Sequence, residues 1–429
     1  MVEKIISVLK NYKDIDYKLT EVKKERLENY FVKKQREIDR LVKTTHYYLT
    51  VYTTFEEDGE KYRGSAAIEI YPSTGGLESP IDEAIFAAGY VKNKYYPLVN
   101  CNLAPHGGVD TDLGGMGQAD AMKSLQAALY SQDNKQNGFI NYSEFFVSKL
   151  NYRVINSKGL DISFTKHKAF IESAATWKEN NKEVEFYESY NLNECNTGLI
   201  SQRVGKLFEY AAQKTAAINM PKISGIDVVL SGECIKRFFE YFYTNSNASS
   251  VYNGQSVFKV GGDVQGSSYN DKISMSLAPF LKGSTESAQY DSDGFALDNQ
   301  EVIKEGVLLK YWGDIRYSYY LGIAPTGSIG NYIISGGTYS NGDLRSGEFL
   351  EIVSFSDFHM NSVTGDFGAE ARLGFYCKGG EKTAVTGGSI SGNIKNVLGE
   401  IKMSKGQMQF NNFVGPEAIR VKNINIAGI

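Results

Sequence analysis

The chain has 429 residues, with 46 Lys and Arg against 50 Asp and Glu for a formal net charge of −4, and it is 42 % hydrophobic and 22 % charged. This balance excludes a nucleic-acid coat and a disordered tail, so no direct nucleic-acid binding is expected. At roughly 150 residues per domain the length calls for two or three domains, and 29 Tyr and 23 Phe beside only 8 Pro bias the chain toward sheet.

Residues 2–10 set Ile5, Ile6, Val8 and Leu9 on a narrow stripe, which predicts a short amphipathic helix. No apolar run approaches the roughly 18 residues of a membrane span and no small-residue cleavage site follows the start, so a cytoplasmic protein without membrane contact is expected. Across 19–42, Leu27, Phe31, Ile38 and Leu41 fall near helical spacing among many charges, the pattern of a solvated helix. Residues 47–55 and 62–71 are aromatic and β-branched and flank Asp58-Gly59, which predicts a hairpin with a tight turn. Helices are expected over 80–91 and 117–132, separated by a glycine-rich segment with His106-Gly107-Gly108 and Gly114-Gly115-Met116-Gly117.

From 139 to 187 short alternating segments predict antiparallel strands with one wet face. A helix over 199–218 turns Val204, Leu207, Phe208 and Ala211 inward. The apolar run Ile226-Asp227-Val228-Val229-Leu230 then leads through Ser231-Gly232 to a helix over 233–243, after which the chain is glycine-punctuated and strand-like. The shift in texture divides the chain into a helix-containing α/β domain, 1–219, and a β-rich domain, 220–429, and so predicts an α+β protein.

Few local motifs carry chemistry. Residues 133–144 nearly spell a calcium loop, with Asp133, Gly138, Ile140 and Glu144 in place. Lys135 puts a cation where an oxygen ligand belongs, and the residues after Glu144 are strand-like, so a polar loop with an Asn137-Gly138 turn is the better reading. The glycine cluster at 107–117 is not G-x-G-x-x-G and no G-x-S-x-G elbow occurs. His106 beside Gly107 reads as a structural or solvated loop histidine. Cys101, Cys195, Cys234 and Cys377 are scattered and form no Cys-x-x-Cys pair.

An ordered set of blocks in the second half carries a resemblance. Asp291-Ser292-Asp293-Gly294-Phe295 with Ile303-Lys304-Glu305-Gly306-Val307-Leu308, then Tyr319-Tyr320-Leu321-Gly322, Thr326-Gly327, Gly365-Asp366-Phe367 with Gly374-Phe375, and Ser389-Ile390-Ser391-Gly392-Asn393 stand in sequence. Together they resemble the TldD/PmbA family, once called modulators of DNA gyrase. The resemblance implies a two-domain fold with an α/β N-terminal domain and a β-rich antiparallel C-terminal domain, a dimeric habit, and strands with a turn in place of the helix over 19–42. It also implies a peptidase setting, because TldD-type members carry zinc on H-E-x-x-x-H in the helix after a β-strand, with a late Cys as a third ligand. Laid on that pattern, the motif positions hold Glu240, Tyr241 and Asn245, and no late cysteine stands near Gly406-Gln407-Met408-Gln409-Phe410.

The chain therefore resembles the PmbA (TldE) type, with no catalytic or metal-binding residues and no cofactor of its own, the zinc being carried by a TldD-like partner. That partner is expected to be a catalytic subunit or, in its place, a second copy of this chain. Asp293, Gly294, Gly365, Asp366, Ser389, Gly392 and Asn393 are the expected turns of a shared groove for an extended peptide bound by strand addition. A rival reading recruits Glu351, Asp357 and His359, which share strand parity, as ligands of an independent hydrolase. A third is a homodimeric peptide-binding protein without catalysis.

Overall fold

The computed structural model describes residues 1–100, 111–266 and 269–428. The first half is built on one antiparallel sheet of seven strands, β1 (Ile15–Val32), β2 (Gln35–Glu57), β3 (Glu60–Ile70), β4 (Asn93–Lys94), β5 (Gly138–Asn156), β6 (Asp161–Glu179) and β7 (Lys182–Leu192), in spatial order β4-β3-β2-β1-β5-β6-β7. The hairpin expected at Asp58-Gly59 joins β2 to β3, with both residues at positive φ (+53° and +77°) and Glu57 opposite Glu60. The helices expected along this half form as α1 (Val2–Leu9), α2 (Glu78–Gly89), α4 (Gln118–Tyr130) and α5 (Thr197–Ala216), with a one-turn helix, α3 (Asp112–Gly115), between α2 and α4. All four longer helices bury apolar faces against one side of the sheet: α1 and α2 against Leu19, Leu49 and Val51, and α4 and α5 against Phe145, Val147, Ala169 and Ile171.

The helix expected over 19–42 is absent. Its residues form the long β1–β2 hairpin, paired from Ile15 opposite Thr53 to Val32 opposite Gln35 with one register shift between Tyr30 and Phe31, and with Lys33 at positive φ in the turn. The physical reason is that β1 is paired along most of its length on its other edge as well, from Lys18 opposite Asn156 to Val32 opposite Tyr142. Leu19, Leu27 and Phe31 satisfy a two-residue period toward the helices, while Ile38 and Leu41, which completed the apparent helical stripe, are 51 % and 57 % exposed. The strands with a turn implied by the family resemblance are the ones that form.

The second half contains β8 (Ile218–Asn219), β9 (Ile223–Ser231), β10 (Met275–Ala278), β11 (Gln300–Lys304), β12 (Val307–Leu308), β13 (Asn331–Ile334), β14 (Phe349–Met360), β15 (Asp366–Lys378), β16 (Glu381–Thr386), β17 (Ser389–Asn393), β18 (Lys402–Met403), β19 (Gln407–Phe410), β20 (Phe413–Pro416) and β21 (Ala418–Ala427). One sheet runs β12-β11-β10-β13-β20-β19. The other runs β14-β9-β21-β17-β15-β16-β8, and a further pairing of β14 with β15 closes five of its strands into a ring. The helix α6 (Cys234–Asn245) leaves the end of β9 and buries Cys234, Ile235, Phe238, Phe239 and Phe242 in the core between the two sheets. The whole is a strand-rich α+β architecture. No helix among the described residues is long and apolar enough to cross a membrane.

The two halves are joined by specific contacts. Lys18 of β1 pairs with Asp293, Arg316 donates to Asn93 Oδ1 at 2.8 Å, and the Tyr320 hydroxyl donates to the Lys94 carbonyl at 2.6 Å.

Candidate functional site

The site begins with the β9–α6 unit. Val228, Val229 and Leu230 are fully buried between β14 and β21, and the turn that follows uses Gly232 at φ +68°, a conformation that only glycine adopts freely. The helix then shows its apolar face to the core and the row Arg237, Glu240 and Thr244 outward, spaced by three and four residues. Those three side chains and Tyr241 line a cavity of about 310 Å³, whose other wall is Phe358, His359, Met360 and Ser362 from the β14–β15 hairpin.

The positions laid on the zinc motif can be read one by one. Glu240 is half-buried at the cavity wall, with its carboxylate 3.6 Å from Arg237. Tyr241 is buried, its ring edge-on to Phe242 and Phe258, and burial pushes its phenol up to about 12, so it stays protonated. Asn245 is fully buried. It donates to the Tyr241 carbonyl at 3.0 Å, and its Oδ1 accepts from the Val257 amide at 3.4 Å. One carboxylate and one imidazole therefore face the cavity, and among the described residues no group of three or more His, Cys, Asp and Glu is placed to hold a metal ion. Among the described residues, burial raises the thiols of Cys195, Cys234 and Cys377, which disfavours the thiolate form. Cys101 and His106 lie outside the described residues.

The expected groove turns separate into two places. Gly365, Asp366 and Asn393 come together beyond the β14–β15 hairpin: Asn393 donates to Asp366 at 2.7 Å and caps the short helix Ile394–Val397. Gly392 stands on β17 where a Cβ would lie 2.8 Å from the Phe367 ring, and Ser389 opens that strand opposite Ala427. Gly365-Asp366-Phe367 and Gly374-Phe375 lie on or beside one strand, β15. Asp293 and Gly294 are elsewhere, at the joint between the halves. There Asp293 pairs with Lys18, and Gly294 at φ +82° lies against Leu160, which a Cβ would approach to 2.4 Å. Asp291 organises that loop by accepting from the amides of Asp293 (2.9 Å), Phe295 (3.0 Å) and Ser328 (3.1 Å).

The rival ligand set is not assembled. Three register shifts between Ile352 and Asp357 break the parity on which it rested, and six residues of strand separate Glu351 from Asp357 by about 20 Å. Glu351 is buried at the far end, bound by Arg345 at 2.6 Å and by the Ser231 hydroxyl at 2.9 Å, whereas Asp357 and His359 are exposed. Arg237, Thr244, Phe358, Met360 and Ser362 were not singled out from the sequence, and His359 was singled out only with Glu351 and Asp357. The available signal was the polar row left on α6 once its apolar face is assigned. In the calcium-like segment β5 already begins at Gly138, Glu144 lies within it, and Asp133 accepts from the Ile140 amide at 3.1 Å.

Residues 224–428 match the PmbA/TldA metallopeptidase C-terminal domain. Two relatives named metalloprotease PmbA homologs, from two Buchnera aphidicola strains, are 21 % identical over 244 residues and 22 % over 259. Those alignments span 53 % and 58 % of this chain and only 54 % and 56 % of the relatives. Structural likeness extends further. The crystal structure of TldE from Thermococcus kodakarensis superposes with a TM-score of 0.78 at 16 % identity, covering 100 % of both chains. That of a proposed modulator of a DNA gyrase from Thermotoga maritima gives 0.78 at 15 %, covering 100 % of this chain and 99 % of the other. The second half of the chain, residues 224–428, thus matches the family's C-terminal domain, and the fold along the full length is that of these two solved structures.

Proposed function

We propose that the chain is a non-catalytic, TldE/PmbA-like subunit of a TldD/TldE-type metallopeptidase in the cytoplasm. In this reading it carries no zinc, pairs with a TldD-like catalytic subunit or with a second copy of itself, and supplies part of the chamber in which small or unfolded peptides are cleaved. The observation that carries the proposal is the state of α6. Its three motif positions hold a carboxylate facing Arg237, a phenol buried among aromatic rings, and an amide engaged within the core. A zinc site needs three protein ligands with free lone pairs converging on one point, and these side chains do not converge. The fold shared with a protein named TldE adds support.

A second reading has one observation in its favour, the presence of both Glu240 and His359 on the walls of the 310 Å³ cavity. In that reading the two groups serve as the acid–base pair of an independent hydrolase. Elemental analysis of the purified chain and a peptide-cleavage assay of the chain alone distinguish the two. The expected result is no stoichiometric zinc and no cleavage. About one zinc per chain, lost on chelation, would overturn the first reading, and cleavage by the chain alone, abolished by His359→Ala, would establish the second.

A further inference from the structure

One long strand carries opposite charge at its two ends. β2 runs for 23 residues from the β1–β2 turn to the β2–β3 turn, so its ends are separate surfaces. At the first end, residues 33–43 hold Lys33, Lys34, Arg36, Arg40 and Lys43 against Glu37 and Asp39. Val32, Ile38 and Leu41 stand among them, each more than half exposed. β3 covers β2 only over Tyr47–Glu57, so no strand among the described residues lies along 35–46 on that side.

At the second end, Glu56, Glu57, Asp58 and Glu60 surround the β2–β3 turn. The segment 78–90, which includes α2, adds the acids Glu78, Asp82 and Glu83 and has no Lys or Arg. It ends beside the turn, since Lys92 pairs with Glu57. There Phe86 and Tyr90 meet edge-on with ring centres 4.9 Å apart and are 68 % and 76 % exposed. Large apolar side chains grouped in the open mark an interaction surface. The charges around them are only partly answered within the chain: Lys34 pairs with Asp133, Arg36 with Asp39, Arg40 with Glu28 and Lys43 with Glu25. Among the described residues Lys33, Glu56 and Glu60 have no ion-pair partner. Val99 and Thr111, the described residues nearest in sequence to 101–110, lie by β5 and β6, across β1 from β2 and β3.

We propose that a second copy of this chain docks side by side and antiparallel, the basic β1–β2 end of each copy meeting the acidic end, 56–60 with α2, of the other. Because the two patches sit at opposite ends of one strand, a single two-fold axis across β2 forms both contacts at once and closes the assembly as a dimer. In each contact Val32, Ile38 and Leu41 face Phe86 and Tyr90, with unlike charges around them, an apolar centre inside a polar rim. A parallel arrangement would instead set Lys33 and Lys34 against their own copies. The inference gives a surface to the second-copy form of the proposed function and otherwise does not depend on that reading.

Sedimentation equilibrium on the purified full chain tests it. We expect a monomer–dimer equilibrium that weakens as salt rises. Lys33→Glu with Lys34→Glu should weaken it at least tenfold, and so, separately, should Glu56→Lys with Glu60→Lys. An equimolar mixture of these two variants should dimerise again, because both contacts then pair unlike charges, and that recovery also shows that both variants are folded. Phe86→Ser with Tyr90→Ser should weaken the dimer at every salt concentration. A wild type that stays monomeric, a dimer indifferent to both charge reversals, or a mixture that stays monomeric overturns the proposal. Mass growing beyond two chains overturns the closed two-fold arrangement, and association only with a companion that has H-E-x-x-x-H overturns the choice of a second copy. None of these failures bears on the lack of zinc, which elemental analysis decides.

Discussion

Replacing Gly294 by alanine probes the joint between the halves. The residue sits at φ +82°, and a Cβ there would lie 2.4 Å from Leu160 Cδ2 and 3.3 Å from Ile162 Cδ1. Leu160 belongs to a small buried cluster with Val99 and Val154, to which Ile162, Phe164 and Phe295 also contribute, so it has little room to retreat. The left-handed backbone costs a non-glycine residue about 1–2 kcal/mol, and forcing a methyl group into a filled site adds about 1–3 kcal/mol. Gly59→Ala is the matched control, since its φ is +77° and no atom lies within 4 Å of the added methyl. It should show the backbone cost alone. Urea unfolding of the two variants should therefore differ by about 2 kcal/mol, or about 0.7 M in midpoint at an m-value of about 3 kcal/mol per M. Equal midpoints would refute the claim that this turn is packed as a joint. A loss of peptide binding in Gly294→Ala at a stability matching Gly59→Ala would assign the turn to a groove instead.

Other expectations follow from buried charge and from the calcium-like segment. Burial, aided by the Asp293 charge and opposed by three backbone amides, pushes Asp291 up to about 6; with the folded value above the unfolded one, this group's contribution is full below about pH 4 and is lost as pH rises through 6. The difference is on the order of 3 kcal/mol, so urea midpoints of the wild type should lose most of that contribution between pH 4 and 6, whereas Asp291→Asn should lack the slope and be less stable because it cannot accept from all three amides; identical slopes would count against this. For Glu351, burial raises the carboxyl, but Arg345 and Ser231 outweigh it and hold it below the usual range, so its stabilisation is present at neutral pH and lost on acidification. Arg345→Met should cost about 2 kcal/mol by leaving that buried carboxylate unpaired, allowing for the partial exposure of Arg345, and a thermal shift near zero would contradict it. Calorimetry with calcium should show no binding at 133–144, and micromolar affinity abolished by Glu144→Gln would contradict the assignment of Glu144 to a strand.

Much of this architecture is legible in the residues. Val204, Leu207, Phe208 and Ala211 mark α5 by a face that needs no tertiary context, and Asp58-Gly59 marks a turn that few other dipeptides form. The segment 19–42 is not legible in that way. Leu27, Phe31, Ile38 and Leu41 fit helical spacing while Leu19, Leu27 and Phe31 fit strand alternation, and the outcome is decided by ladders to β2 and β5, of which β5 begins more than a hundred residues later. The β9–α6 unit can be read locally, because an apolar run, a glycine and an amphipathic helix follow in order. Its pairing with the wall 358–362 cannot, because the hairpin carrying His359 is brought there by the closed ring of strands. Parity failed for Glu351, Asp357 and His359 because bulges leave no local mark in the sequence.

Reconstitution tests the proposed role most directly. The chain is mixed with a family member from the same genome that carries H-E-x-x-x-H, and the mixture is followed by size-exclusion chromatography and by cleavage of an unfolded peptide. We expect elution at the mass of a two-chain complex and peptidase activity that disappears when either chain is omitted. A companion fully active without this chain, together with a chain that stays monomeric at high concentration, would contradict the subunit role.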